Sequence, residues 1–554
     1  MLLLSDIQQK RIVLYKLGKF QKDIELFFED LDIAFYLEDD VDYSIDTVRN
    51  KKVYKTSEFT KDILLENLII ICSFEVESAA ERLENLGLDY NLDFIFGIDL
   101  ISSICQKIPY ESIVVFGTGK TANEQLWLHK TLDVKYYIDN DCTKWDTVFN
   151  GKPVMNPKEL FNEEKDCICV IIASICFDEI KSQLLDMGVI EAKKIYNLAQ
   201  WEEDFPSYTI ARLLIQTLKA PVLFEHICEN TFKYVHIIQD GRVSLCTPPS
   251  RKFFSGNLLH NNFHEIINSQ LSRLIRLSII NGTYCFCTDF CSNNRHARIV
   301  VDENYRKNDY KYTSLKVDWC NVVVLNYDNT CNLWCRSCRN APIIPDASQI
   351  SIRETIHNRV INEVLPKTND LYVSGNGDAF YSKYYREVIF EKYKGDILRL
   401  QTNGMLFNEQ NWRKLKGKFK TLTLDVSIDA ATKETYGYLR RGGDFDVLLK
   451  NLELMKELRS CGEIYNLRIS FVVQTSNYME MGSFIDLGVR LGADKITFSP
   501  ISNFTGLSEE EFSKLNLLDE KNAHHNEFIK MLKEPIFRHE KVFLDLRLEI
   551  YSKD

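Results

Sequence analysis

Hydrophobic positions in the second half of the chain fall in short runs separated by longer amphipathic stretches. The runs are NVVVLNY (321–327), LYVSG (371–375), ILRLQTNG (397–404), LTLDVSID (422–429), LRISFVVQ (467–474) and KITFSP (495–500). Between them lie ISIRETIHNRVINEVL (350–365), YYREVIFEKYK (384–394), DVLLKNLELMKELRS (446–460) and EMGSFIDLGVRLG (480–492), with apolar residues at helical spacing. Six such βα units predict an α/β fold, a parallel sheet with right-handed crossovers curled into a partial (βα)6 TIM-like barrel. In such folds chemistry gathers at the C-terminal ends of the strands. Residues 506–554 read as a helical, charged extension.

The first two hundred residues repeat themselves. RIVLYKLGK (11–19) recurs as SIVVFGTGK (112–120), a shift of 101 residues that persists without a gap. LDIAFYLEDD (31–40) falls on LDVKYYIDND (132–141), and ICS (71–73) falls on IAS (172–174). Registered matches over this length indicate duplication. Each copy reads as strand, Gly-containing turn, helix, then a strand ending in acidic residues, which is the pattern of a Rossmann-like half. The second copy carries Gly117 and Gly119, a helical stretch near TANEQLWLHKTL, and Asp139 where a ribose-binding carboxylate would lie. A third glycine is missing at Asn123, and the first copy has Lys16 in place of the first. The pair resembles nucleotide-binding-like domains attached to sugar-modifying and polysaccharide enzymes. That leaves two readings open, a degenerate docking scaffold or a binder of nucleotide or nucleotide-sugar.

Composition narrows the class. At 554 residues the chain should hold about three or four domains of roughly 150 residues. The expected bounds are 1–105 and 106–205 for the repeats, 225–300 for a Cys-rich module, 315–505 for the barrel and 506–554 for the extension. A net charge of −11 without a Lys/Arg block argues against nucleic acid as partner. No apolar stretch reaches ~18 residues, so no membrane span is expected. The start, MLLLSDIQQKRIVLY, lacks the basic region and cleavage site of a signal peptide. A cytoplasmic location follows as expectation, and there 16 cysteines read as metal ligands rather than disulfides.

Three of those cysteines, Cys331, Cys335 and Cys338, stand in CNLWCRSC directly after the first apolar run. Three closely spaced thiolates can hold three irons of a cubane cluster and leave the fourth without a protein ligand. A Cys₃His zinc site with His357 is the competing reading. SGNGDAF follows the second run, TNG the third and SID lies on the fourth. Together these motifs resemble the radical S-adenosylmethionine enzymes. The resemblance implies a four-iron cluster on Cys331, Cys335 and Cys338, with S-adenosylmethionine chelating the open iron. It implies cofactor contacts from Ser374, Gly375, Asn376, Gly377 and Asp378, where the family has its "GGE" motif, and from Asn403, Ser427 and Asp429. Arg440 or Arg441 would pair with the carboxylate, and Thr497 to Pro500 would border the adenine. Ala379 replaces the family's usual proline.

Residues 234–291 add GRVSLCTPP (241–249), GNLLHNNFHEIINS (256–269) and GTYCFCTDFC (282–291). This segment resembles the SPASM/Twitch auxiliary module of the same enzymes, although there the module usually follows the barrel. The resemblance implies a second, auxiliary four-iron cluster on Cys246, Cys285, Cys287 and Cys291, with Cys228 or Cys320 as substitutes. A structural zinc knuckle or plain buried thiols are the alternatives. The implied activity is reductive cleavage of S-adenosylmethionine to a 5′-deoxyadenosyl radical that abstracts hydrogen from substrate. The repeats point to a sugar, nucleotide-sugar or glycan, and the SPASM resemblance to a peptide. An electron donor such as flavodoxin or ferredoxin is the expected partner. The rival class is a non-catalytic nucleotide-binding iron–sulfur or zinc protein acting as sensor or scaffold.

Overall fold

In the computed structural model the chain is a mixed α/β protein with three sheets. All residues are described except 1–3, 40–46, 56, 59, 65–66, 106–109, 111, 120, 123–133, 175, 198–205, 223–227, 247–252, 288–313, 374–376, 506 and 553–554. Two compact units result, one holding the first two sheets and Arg273–Cys285, the other holding the third sheet.

The first sheet is built from β1 (Arg11–Tyr15), β2 (Asp32–Glu38), β3 (Thr47–Val48), β4 (Lys51–Lys55), β5 (Asn67–Ile71) and β6 (Phe94–Phe96). The second uses β7 (Ser112–Phe116), β8 (Val134–Ile138), β9 (Val148–Phe149), β10 (Lys152–Met155), β11 (Ile168–Ile172) and β12 (Ile195–Asn197). Their orders are β3-β4-β2-β1-β5-β6 and β9-β10-β8-β7-β11-β12, the same arrangement twice. Each has one antiparallel hairpin strand at its edge, and all other pairings are parallel. Even the irregularity repeats: the ladder slips between Ile12 and Val13 in one copy and between Ile113 and Val114 in the other. The runs at the centre, Ile12–Tyr15 and Leu68–Ile71, are buried throughout. Continuous apolar strands of this kind belong to parallel sheets covered on both faces.

The third sheet has ten strands. These are β13 (Tyr234–Ile238), β14 (Arg242–Ser244), β15 (Gly256–Asn257), β16 (Val322–Asn326), β17 (Asp370–Val373), β18 (Ile397–Thr402), β19 (Thr421–Ser427), β20 (Asn466–Val473), β21 (Lys495–Pro500) and β22 (Val542–Leu544). Their order is β15-β14-β13-β16-β17-β18-β19-β20-β21-β22; β15, β14 and β13 pair antiparallel, and every pairing from β13–β16 to β21–β22 is parallel. All six expected strands are present and adjacent in chain order. Two features depart from expectation. The Cys-rich segment is not set apart, because β13 pairs with β16 over five residues and continues the sheet. The C-terminal extension also enters it, through the three residues of β22. A strand that short, inside a charged stretch, carries no period to read.

One face of this sheet is apolar. Val426 of β19 meets the helix Phe445–Ser460 at Gly404, where an added Cβ would touch Leu448, Val426 and Met455. Gly488 on the helix Met481–Arg490 lies so close to Ile469 and Ile496 that a Cβ would come within 2.8 Å of both. Asp444 caps the first of these helices through the N–H groups of Asp446 and Val447.

The turn after β7 is set by backbone chemistry. Gly117 has φ +106°, and a Cβ there would lie 2.9 Å from the carbonyl oxygen of Ala173, whereas one at Gly119 would meet nothing within 4 Å. Gly117→Ala is therefore expected to lower stability by about 1–3 kcal/mol, while Gly119→Ala stays within ~0.5 kcal/mol. Chemical denaturation of the two variants side by side measures the contrast.

Candidate functional site

The cysteine loop leaves the C-terminal end of β16 and is anchored by a buried carboxylate. Asp328, 1% exposed, pairs with Arg353 at 2.9 Å and accepts hydrogen bonds from the hydroxyls of Thr330 (2.8 Å) and Ser382. The Asp328 N–H donates to Tyr385 Oη at 2.8 Å. Arg353 spans the turn, its Nη2 donating to Asn329 Oδ1 at 2.7 Å. Each charge is thus compensated, as burial requires.

Gly377 packs against the same turn from β17. A Cβ there would lie 2.7 Å from the carbonyl oxygens of both Asp328 and Thr330, so the position admits only glycine. The next residue, Asp378, donates its N–H to Thr330 O at 3.0 Å. Its buried carboxylate accepts from Thr402 Oγ1, from the Asn403 N–H and from the Phe380 N–H, each within 2.9 Å. Burial pushes this carboxyl above its usual range, and the three donors pull against that.

From the other side the loop is gripped by residues 438–442. Trp334 N–H donates to Arg441 O (3.1 Å) and Arg336 N–H to Leu439 O (2.9 Å). Arg441 returns hydrogen bonds to the carbonyls of Trp334 (2.9 Å) and Arg339 (2.7 Å). Gly442, φ +87°, leaves room for the indole, since a Cβ would lie 2.5 Å from Trp334 Cζ3.

Every sulfur in the loop faces N–H donors. Cys331 Sγ receives the Leu333 N–H at 3.4 Å and Asn403 Nδ2 at 3.5 Å. Cys338 Sγ receives Arg339 Nε at 3.3 Å and Nη2 at 3.2 Å. Cys335 Sγ receives Arg440 Nη1 at 3.7 Å. Arg440 is buried, pairs through Nη2 with Asp429 at 2.7 Å, and its Nε has no partner among the described residues. Asp429 sits at φ +64°, a strained backbone for a non-glycine, and its other oxygen accepts from the Val472 N–H. Burial raises the Asp429 carboxyl against the pull of Arg440. Burial likewise pushes the Cys331 thiol up to about 11, with the Asp378 charge adding to it.

This donor set suits thiolates bound to a metal cluster. Neutral thiols are weak acceptors, whereas cluster sulfurs take hydrogen bonds that tune them. Among the described residues no three His, Cys, Asp or Glu side chains converge on one ion position. A zinc site completed by His357 does not fit, because both ring nitrogens are engaged, Nδ1 with Tyr327 Oη at 2.8 Å and Nε2 with Glu387 at 3.1 Å.

Of the other expected residues, Ser427 bonds Ser470 at 3.1 Å on the neighbouring strand. Ser374, Gly375, Asn376 and Cys291 lie outside the described residues, as do Lys120, Asn123 and most of TANEQLWLHKTL. Cys246 is buried in the unit of the third sheet, while Cys285 belongs to the other unit and bonds Thr217 Oγ1 at 3.4 Å. Cys287 is half-buried. In the second repeat Asp139 turns inward. It accepts from Thr118 N–H (2.9 Å), Thr118 Oγ1 (2.6 Å) and Lys144 (3.0 Å), which outweigh burial and hold its carboxyl below the usual range.

Sequence reading missed Asp328, Arg353 and Arg339, although Asp-Asn-Thr before a first cysteine signals a tight side-chain-bonded turn. It also missed a polar sheet face. Opposite the helices, Tyr372, Arg399, Gln401, Asp425, Arg468, Ser470, Lys495 and Thr497 are half-buried. Arg399 is held there by Asp370 through a two-pronged pair. His236 of β13 shares this face by register with Val324 and Tyr372. It is 8% exposed, neither ring nitrogen has a partner among the described residues, and burial lowers its pKa to about 4.

With the fold and site in view, comparison with known proteins adds the following. Residues 109–196, the second repeat, match the family described as C2185-like, N-terminal. No curated protein matches the chain. Among solved structures it is similar to Streptococcus suis SuiB bound to the precursor peptide SuiA, at 15% identity and TM-score 0.30, over 41% of this chain and 49% of that one. It is similar to anSMEcpe with bound AdoMet and Kp18Cys peptide, at 16% identity and TM-score 0.27, over 40% and 63%. TYW1 with a lysine-pyruvate adduct matches at 18% identity and TM-score 0.25, over 39% and 71%. The chain spans about half the length of SuiB. Likeness this partial carries no function, which must come from the residues.

Asp328→Asn is expected to cost about 3–5 kcal/mol, because it leaves Arg353 buried without its counter-charge. Denaturant unfolding measures the loss.

Proposed function

We propose that the chain is a radical S-adenosylmethionine enzyme whose four-iron cluster is held by Cys331, Cys335 and Cys338. The observation that carries this reading is the single loop in which each of three thiols faces N–H donors, two of them from arginine. When bound, such a cluster supplies the electron that splits S-adenosylmethionine into methionine and a 5′-deoxyadenosyl radical.

The chain's own part is positional. Asp328 and Arg353 hold the loop at the strand end, and Gly377 brings the β17 turn against it. Ser374 to Asp378, Asn403, Ser427 and Asp429 are assigned to the cofactor's amine, carboxylate and ribose. Arg440 is the better candidate for the carboxylate than Arg441, whose guanidinium ties two loop carbonyls. In this reading the third sheet curls into a partial barrel with helices outside, so that its polar face becomes the lumen. A packed (βα)8 barrel fills that space with Val, Ile and Leu. Polar residues there suit a substrate chamber closed off from bulk water.

An auxiliary four-iron cluster remains part of the proposal, as does an external electron donor. The doubled Rossmann-like sheets favour a sugar, nucleotide-sugar or glycan substrate over a peptide, with the second copy as the binder. In the first copy the crevice is filled by charge: Asp39 pairs with Lys16 and Arg82. At the matching positions the second copy has Gly117, Asn140 and Gln183, and the two amides bond each other at 2.8 and 2.9 Å.

Anaerobic reconstitution followed by dithionite and S-adenosylmethionine should yield 5′-deoxyadenosine. No more of it than from the triple variant Cys331→Ala, Cys335→Ala, Cys338→Ala would refute the assignment and favour a non-catalytic sensor. Iron content decides the auxiliary site: about eight irons per chain for two clusters, about four for one.

A further inference from the structure

The polar face of the third sheet carries an arrangement that the cofactor reading does not use. Asp425 of β19, Arg468 of β20 and Lys495 of β21 are partners in register on three successive parallel strands. Register partners in a parallel ladder point to the same face, on strands about 4.8 Å apart. Arg468 and Lys495 are therefore like charges side by side, an arrangement that destabilises a sheet. No ion pair relieves it: among the described residues neither cation has a carboxylate oxygen within 4.0 Å, Asp425 included. Arg468 donates Nε to Asn466 Oδ1 at 2.9 Å, and the Lys495 ammonium stands 3.9 Å from the centroid of the Phe543 ring. All three groups are half-buried, where water screens repulsion poorly. Burial of Lys495 and the nearby Arg468 charge work against its protonated form, the Asp425 charge works for it, and the net shift is downward.

Most buried or half-buried arginines of this unit show the opposite treatment. Arg353 has Asp328, Arg440 has Asp429, Arg399 has Asp370 and Arg459 has Asp494, each at 2.9 Å or closer. Two adjacent cations without such partners mark a place for an external oxyanion. Ser470 and Thr497, also register partners and two residues nearer the C-terminal strand ends, add hydroxyl donors on the same face. That direction leads toward the cysteine loop.

We propose that Arg468 and Lys495 bind a phosphoryl group of the substrate, with Asp425 accepting from a neighbouring hydroxyl, so that the substrate is a phosphorylated polyol or sugar. A doubly charged phosphoryl group neutralises both cations at once, which a single carboxylate does not. The assignment of this group to the reacting substrate rests on the radical reading above; the oxyanion site itself does not.

Titration calorimetry of the full chain with inorganic pyrophosphate, at constant ionic strength and without S-adenosylmethionine, tests the site directly. One saturable site is expected, weakened about tenfold or more in Arg468→Gln and in Lys495→Gln and kept within roughly threefold in Lys495→Arg. The Lys495→Arg variant separates loss of charge from loss of fold. Unchanged affinity in both glutamine variants, or no saturable binding in the parent protein, overturns the proposal. Tighter binding of malonate than of pyrophosphate overturns the phosphoryl assignment in favour of a carboxylate. Because neither cluster nor S-adenosylmethionine enters this titration, its failure leaves the radical reading standing. Failure of 5′-deoxyadenosine formation likewise leaves the oxyanion site standing.

Discussion

A carboxylate shut away from water, Asp328, holds the working end of this protein together. It sits where β16 ends and the cysteine loop begins, and it is neutralised by Arg353 from the helix Ala347–Arg359. Burying such a pair gains little by itself, because desolvation offsets most of the attraction. What it gives is direction. Hydroxyls from Thr330 and Ser382, an amide geometry closed by Tyr385, and a bond from Arg353 to Asn329 leave the turn one conformation. The close approach of Gly377 then becomes possible, and Asp378 can brace the end of β18. The three sulfurs are placed by that frame and by the grip of residues 438–442.

The two repeated sheets show how one backbone supports different chemistry. Strand order, edge hairpin and a slipped register are shared. So is one contact: the N–H after the first turn donates to the acid ending the second strand, Leu17 to Glu38 and Thr118 to Asp139. Around it the copies diverge. The first fills its turn with Lys16, Asp39 and Arg82, and the second leaves glycine and a neutral amide pair. The shared contact is architectural, so an acid at this position is weak evidence for a bound ribose in either copy.

The third sheet illustrates what period alone can and cannot say. The apolar runs holding LRLQT, LRISFVV and KITFSP were legible as strands, and burial alternates along each of them in the folded chain. The polar face that this alternation creates was not read from the sequence. Only strand register shows that Asp425, Arg468 and Lys495 stand in one row, because residues separated by dozens of positions become neighbours through pairing.

The sequence alone was enough to determine the duplication, the six consecutive strands and the cysteine loop at a strand end. These depend on local pattern and spacing, which survive in one dimension. Tertiary structure decided the rest. It drew β13 and β22 into the same sheet, where backbone pairing between residues far apart in the chain, Tyr234 with Val322 and Ile496 with Val542, outweighs weak local propensity. It also turned Asp378, Asp429, Arg440 and Arg441 toward particular partners. A charged side chain in a chain of letters has no direction. Its role at CNLWCRSC follows from which buried donor or acceptor it must satisfy, and that is settled only when the chain has folded.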